Sequence, residues 1–252
     1  MKLEQTNRII IKIGSALLFN ETSGSLNKEW LNSLAEDVKY LRENDKEVII
    51  VSSGAIAMGA KDLDLDMKNM KMDMNQAVSA VGQIHLMGSF KSAFEKNEIK
   101  ISQILLTLDD TEQRRRSINA RRTIDTLLKL GIVPVVNEND TIATSEIRYG
   151  DNDRLASRVA QITSADCLIL LSNINGLYSA DPSTDEDVKL INKVSEIDKD
   201  IEKMIGQSIS DYGKGGMKTK IQAAKTAMLS GCHLAITNGS IMRPVKSLFE
   251  GR

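Results

Sequence analysis

Residues 8–14 read Arg-Ile-Ile-Ile-Lys-Ile-Gly, and this run constrains the fold more than any other stretch of the chain. Consecutive β-branched residues without polar alternation specify a strand covered on both faces, the habit of parallel sheets packed under helices. Lys12 breaks the run. A buried ammonium group is costly unless an anion pairs with it. An edge strand would let Lys12 snorkel to solvent. The apolar residues on both sides of it favour an anionic partner instead. Because the lysine stands near the strand's C-terminal end, that partner is expected to be a ligand.

The rest of the chain repeats the theme. Further strands are expected at Glu47–Val51, Lys100–Leu106, Gly131–Val136, Cys167–Leu171 and Leu234–Thr237. Between them lie helical patterns. Asn27 precedes Leu31, Leu34, Val38 and Leu41 as a capping residue. Others run from about Gln76 to Asn97, Asn119 to Leu130, Asp153 to Thr163 and Met217 to Leu229, while 63–75 reads as irregular. Alternating strands and helices give right-handed β-α-β units with helices on both faces. The expected class is α/β, a three-layer α/β/α sandwich around a central, mainly parallel sheet. One domain spanning 1–252 is the simplest division, with a substrate lobe over about 1–165 and a nucleotide lobe over about 166–252.

Charge and composition exclude several classes. The formal net charge is -1, so no global field favours nucleic acid or an anionic membrane. The basic cluster Arg114–Arg116 with Arg121 and Arg122 has no aromatic neighbour on which bases could stack, and reads as a solvated or subunit-facing surface. Cys167 and Cys232 border apolar strands and read as buried reduced thiols. No signal peptide and no membrane-length apolar run is visible, so a cytoplasmic protein is expected. His85 and His233 have no nucleophile or acid close in sequence and read as structural.

Ligands of open parallel sheets bind beyond the C-terminal strand ends. Those ends carry Lys12-Ile-Gly-Ser15, Ser52-Ser-Gly54, Asn137-Glu-Asn-Asp140 and Ser172-Asn173. A second feature is Gly213-Lys-Gly-Gly-Met-Lys-Thr-Lys220, which precedes a helix. Its glycines free backbone amides to gather around phosphate, and the helix N-terminus adds its dipole. It is neither a Walker A loop nor a Rossmann fingerprint, and a flexible exposed loop stays open on composition alone. A third is Gly150-Asp-Asn-Asp153. Its acids suit metal ligation, an ammonium group or the anchoring of lysines, and Asp151 or Asp153 also suits an N-cap.

Together these segments resemble the amino acid kinase family, and within it the members that phosphorylate L-glutamate. The resemblance rests on Val51-Ser-Ser-Gly-Ala-Ile-Ala-Met-Gly59, Asn137-Glu-Asn-Asp-Thr141, Glu146-Ile-Arg-Tyr-Gly-Asp-Asn-Asp153 and the loop 213–220, with support from Asn119-Ala-Arg121, Gly176-Leu-Tyr178 and Ala180-Asp-Pro182. It implies transfer from ATP to the γ-carboxylate of glutamate, the first step of proline synthesis. By resemblance, Lys12 and Lys220 stabilise the phosphoryl group in flight and Asp153 holds both lysines. Ser53, Gly54, Asn137, Asp140 and Asn152 bind glutamate. Lys12, Ser172, Asn173, Lys214, Gly215, Gly216, Met217, Lys218, Thr219 and Lys220 contact ATP. Mg²⁺ is expected on the ATP, with no protein ligand assigned. Proline as a feedback inhibitor and a homo-oligomer, dimer or tetramer, are also implied. Many members carry a further C-terminal RNA-binding-like (PUA) domain, and a short form without it is expected here. Rivals are an acetylglutamate or aspartate kinase, or a non-catalytic nucleotide-binding protein on the same scaffold.

Overall fold

The computed structural model describes residues 3–20, 25–68, 70–143, 152–179, 188–199, 201 and 216–251. Six strands build the central sheet: β1 (Arg8–Ile13), β2 (Glu47–Val51), β3 (Ile101–Leu106), β4 (Val133–Glu138), β5 (Cys167–Ser172) and β8 (His233–Asn238). Their order is β3-β4-β2-β1-β5-β8, and every pairing in it is parallel. A separate two-residue ladder joins β6 (Leu177–Tyr178) to β7 (Leu190–Ile191) in antiparallel fashion.

The helices are α1 (Ser15–Leu18), α2 (Lys28–Glu43), α3 (Ala55–Asp62), α4 (Met72–Glu95), α5 (Leu108–Glu112), α6 (Arg114–Lys129), α7 (Asn152–Thr163), α8 (Met217–Leu229) and α9 (Pro244–Phe249). Side chains of a strand alternate between faces, and the core divides accordingly. Ile9, Ile11, Ile13, Val48, Ile50 and Ile169 pack with Trp30, Leu34, Phe90 and Phe94 of α2 and α4. Ile10, Ile49, Val51, Leu168 and Leu170 pack on the opposite face with Ile124, Leu155, Val159 and Ala227 of α6, α7 and α8. This is the three-layer sandwich expected from the sequence.

β1 is central, with Lys12 in register with Val51 on one side and Leu170 on the other. An edge position for Lys12 is thereby excluded. The chain leaves β1 toward β2, β3 and β4, then crosses to β5 and β8 on the other flank. The direction of winding switches at β1, so the ligand crevice of such a sheet opens there.

Some boundaries differ from expectation. α4 begins at Met72, inside the stretch read as irregular, with Asp73 in its first turn, where an acid complements the helix dipole. It stops at Glu95, and Glu98 turns the chain with φ 60°. α6 begins at Arg114 and not near Asn119; the three arginines form an exposed first turn after Gln113, which closes the short α5 begun by the capping box at Thr107. β4 starts at Val133 and runs on through Asn137 and Glu138. Asn27 caps α2 as expected, its side chain accepting from Trp30 N.

α3 and α4 cross backbone on backbone. A Cβ on Gly82 would lie 1.9 Å from Ala55 O, and one on Gly59 would lie 1.9 Å from Val78 O. Only a pair of glycines permits that approach, and it fixes the register of α4 against the helix that follows Ser53-Gly54.

Candidate functional site

Strand parity decides where Lys12 points. It lies two residues from Ile10, so it shares the face covered by α7 and α8. Asp153 stands in the first turn of α7 and Lys220 in the first turn of α8. The three meet beyond β1. Lys12 Nζ is 2.5 Å from Asp153 Oδ1, and Lys220 Nζ is 3.1 Å from Oδ2 of the same carboxylate. Asp153 is 0% exposed and both lysines are buried. Burial alone would push the Asp153 carboxyl up. The two ammonium groups outweigh it and hold the carboxyl below its ordinary value. Two ammonium groups thus converge on one carboxylate at the mouth of the sheet.

Helix N-termini surround that centre. Gly54 caps α3 in the left-handed region, at φ 97°, where a Cβ would strike Phe19 at 2.7 Å. Among the described residues no side chain caps α3 or α8, whose N-cap is Gly216. Their first amides are therefore open to an anion.

The amino-acid side of the site is a chain of amides. Ser53 Oγ donates to Ile13 O at 3.1 Å, tying the β2 end to the β1 end. Asn152 Nδ2 donates to Asn137 Oδ1 at 2.8 Å and also to Ser52 O. Asn137 Nδ2 donates to Gln83 Oε1 of α4 at 2.8 Å, and Ser79 Oγ of α4 donates to Asp140 Oδ2 at 2.5 Å. Burial raises the Asp140 carboxyl above its ordinary value, and the Ser79 hydrogen bond only partly offsets this. A cation placed against Asp140 would relieve that cost.

Glu138, which the sequence reading left without a role, is buried beside Asp140. Burial, followed by the Asp140 charge, pushes its carboxyl up to about 7 against a lowering by Arg154. The folded protein therefore keeps a proton on Glu138 that the unfolded chain releases near pH 4.5. The sign follows: stability falls as pH rises from 4.5 toward 7 and stays lower above. Glu138→Gln should remove that fall. Denaturant unfolding should give equal stabilities for both proteins below pH 4.5. Near pH 8 the variant should gain roughly 1–3 kcal/mol. A variant no more stable than wild type there would show that the carboxylate is compensated.

The structure brings Lys12, Ser53, Gly54, Asn137, Asp140, Asn152, Asp153 and Lys220 to one edge of the sheet. Ser172 and Asn173 end the neighbouring β5, and Gly216, Met217, Lys218 and Thr219 open α8 beside them. Lys214 and Gly215 lie outside the described residues, as do Glu146 and Asp151. Cys167 and Cys232 are free and buried, and burial pushes both thiols up to about 12, as expected of inert core cysteines. His85 is exposed, with Nε2 3.2 Å from Asp62. Ser79 and Gln83 escaped the sequence reading. The signal was there, as two polar residues at i, i+4 spacing inside an apolar helical stretch. Among the described residues no group of three metal-ligating side chains comes together, and no helix is long and apolar enough to cross a membrane.

Residues 7–238 match the model of the amino acid kinase family. The glutamate 5-kinase of Pelagibacter ubique is 58% identical over 250 residues, covering 99% of this chain and 68% of that protein. The glutamate 5-kinase of Ruegeria sp. is 51% identical over 249 residues, with 99% and 68% covered. Among solved structures, UMP kinase from Ureaplasma parvum superposes with a TM-score of 0.66 at 17% identity, covering 98% of this chain and 96% of the other. An isopentenyl phosphate kinase follows at 0.65 and 16%, with 97% and 96% covered. At such identities the structural matches establish the fold alone.

Proposed function

Because the chain belongs to the amino acid kinase family, we propose that it transfers the γ-phosphoryl group of ATP to the γ-carboxylate of L-glutamate, giving L-glutamyl 5-phosphate, the first step of proline synthesis. The observation that carries this reading is the buried Lys12–Asp153–Lys220 triad at the strand ends, with the Asp140 carboxylate on the same edge.

Phosphoryl transfer between two oxygens needs alignment and positive charge more than covalent help. Lys12 and Lys220 supply charge to the equatorial oxygens of the phosphoryl group. Asp153 fixes both ammonium groups before substrate arrives, so little reorganisation accompanies the reaction. No general base is needed, since the acceptor carboxylate is ionised at neutral pH. Glutamate lies against Ser53, Gly54, Asn137, Asp140 and Asn152, its ammonium group on Asp140. ATP lies along Ser172, Asn173 and residues 214–220, its phosphates toward the open amides of α8. Mg²⁺ carried by the nucleotide would supply further positive charge at its phosphates. The amino-acid elements fall before about residue 165 and the nucleotide elements after it, two lobes of one domain. The inert thiols suit a cytoplasmic setting. Feedback by proline and a dimeric or tetrameric assembly belong to the same reading; adding proline to the assay below and sedimentation of the protein test them.

Incubation with ATP, Mg²⁺, glutamate and hydroxylamine should yield γ-glutamyl hydroxamate. Product from N-acetylglutamate or aspartate and none from glutamate would replace the assignment with another amino acid kinase. Nucleotide binding without turnover on any amino acid would favour a non-catalytic protein. Asp140→Ala should raise the KM for glutamate roughly 10- to 100-fold, the loss of a hydrogen bond to a charged group, while the KM for ATP holds. An effect confined to the ATP KM would remove Asp140 from the amino-acid site.

A further inference from the structure

We propose that helix α4 completes the amino-acid pocket: Gln83 Nε2 donates a hydrogen bond to the α-carboxylate of the substrate, and Ser79 is a positioning residue that aims Asp140 at its ammonium group. The proposal rests on the glutamate reading above and adds two residues that no motif of the sequence contains.

Hydrogen bonding fixes which end of each amide faces where. The backbone N–H of Glu138 donates to Asn137 Oδ1 at 2.9 Å, and Asn152 Nδ2 donates to the same oxygen. Asn137 therefore cannot be turned about without setting donor against donor. Its Nδ2 must be the group that meets Gln83, so Gln83 must accept through Oε1. That leaves Gln83 Nε2 as a donor. It has no hydrogen-bond partner among the described residues, although Gln83 is only 7% exposed. Buried polar groups are normally satisfied, and an orphaned donor beside a ligand crevice calls for an acceptor supplied by the ligand.

Ser79 lies one turn before Gln83 on the same face of α4, about 6 Å along the helix axis. It is buried, and its hydroxyl is committed to Asp140 Oδ2. The second oxygen of Asp140 stays available to a cation. An acceptor for a cation and a donor for an anion thus stand about one helical turn apart. That is the recognition pattern of an α-amino acid zwitterion. The γ-carboxylate is left to the lysine centre. The Gly59–Gly82 crossing sets the height of α4 and so the position of both side chains.

Two truncated ligands separate this role from a structural one. 4-Aminobutyrate lacks the α-carboxylate of glutamate, and glutarate lacks its ammonium group. Calorimetry on the full chain should show that Gln83→Met weakens glutamate binding roughly 10- to 100-fold and leaves 4-aminobutyrate within about twofold of wild type. Gln83→Glu keeps the acceptor for Asn137 and replaces the donor with an anion, so it should lose glutamate by the same mark or more even if the methionine variant folds poorly. Ser79→Ala should weaken glutamate but leave glutarate unchanged, and Ser79→Thr should restore glutamate binding. Equal losses for all three ligands would overturn the proposal in favour of a purely structural role. Wild-type protein that binds neither glutamate nor its fragments would overturn the glutamate reading, and this inference with it.

Discussion

Asp153→Asn is expected to remove most of the turnover and to weaken the fold in the same stroke. The side chain keeps its shape and loses its charge, so Lys12 and Lys220 are left as two buried ammonium groups without their shared counter-ion. Removing one partner of a buried ion pair costs on the order of 3–5 kcal/mol. That loss should appear in denaturant unfolding of the protein without ligand. The lysines then separate, and the charge prepared for the phosphoryl group is displaced. A fall in kcat of at least roughly 10²–10³ follows, as for loss of one preorganised charge donor. Lys220→Ala should lose a similar factor in kcat yet keep most of its stability, because Asp153 still holds Lys12. Nucleotide provides an internal check. Phosphate can replace the missing counter-charge, so ATP should raise the melting temperature of Asp153→Asn by more than it raises that of wild type. Wild-type kcat in the asparagine variant, measured by hydroxamate formation, would remove Asp153 from the mechanism.

Gly82→Ala is the second large effect, and it acts far from any charge. The added methyl would sit 1.9 Å from Ala55 O and 2.4 Å from Gly59 N, both rigid backbone atoms. No rotamer can relieve such a contact. α3 and α4 must move apart, at a cost on the order of 3 kcal/mol for overpacking of this kind. Separation also carries Ser53-Gly54 away from Ser79 and Gln83, so glutamate should suffer in KM more than ATP does. Gly88→Ala is the control. It lies in the same helix, and a Cβ there meets nothing within 4 Å. That change should stabilise by roughly 0.5–1 kcal/mol through helix propensity. If the two variants unfold alike, the crossing does not govern α4.

Much of the sheet was legible because parallel strands covered on both faces announce themselves. Ile9–Ile13, Val48–Val51 and Cys167–Leu171 have few other ways to be satisfied than burial. The starts of α4 and α6 were misread for a physical reason. A helix N-terminus such as Arg114–Arg116 stays in water, where composition carries little information about whether backbone hydrogen bonds have formed. The short helices α1, α5 and α9 were missed because a turn or so of helix is held by its neighbours and not by its own periodicity. α9 shows this well. It is fastened by Arg243 Nε and Val245 N donating to Asp37 of α2, more than two hundred residues earlier.

The site divides along the same line. A lysine inside an apolar strand could be picked out from the sequence because its cost is local: burial of that strand demands an anion wherever the chain goes. Which anion was not local. Lys214, Lys218 and Lys220 are alike in composition, and only packing of α8 against α7 brings Lys220 Nζ to Asp153. Only the interlocked amides of Glu138, Asn137 and Asn152 leave Gln83 with a spare donor. The sequence by itself determined the layered parallel sheet and the need for a charged ligand at the end of β1, since both follow from desolvation of particular residues. The tertiary structure alone decided the partners of that charge and the pocket beside it, because a hydrogen bond depends on distance and direction between groups that the chain separates by tens of residues.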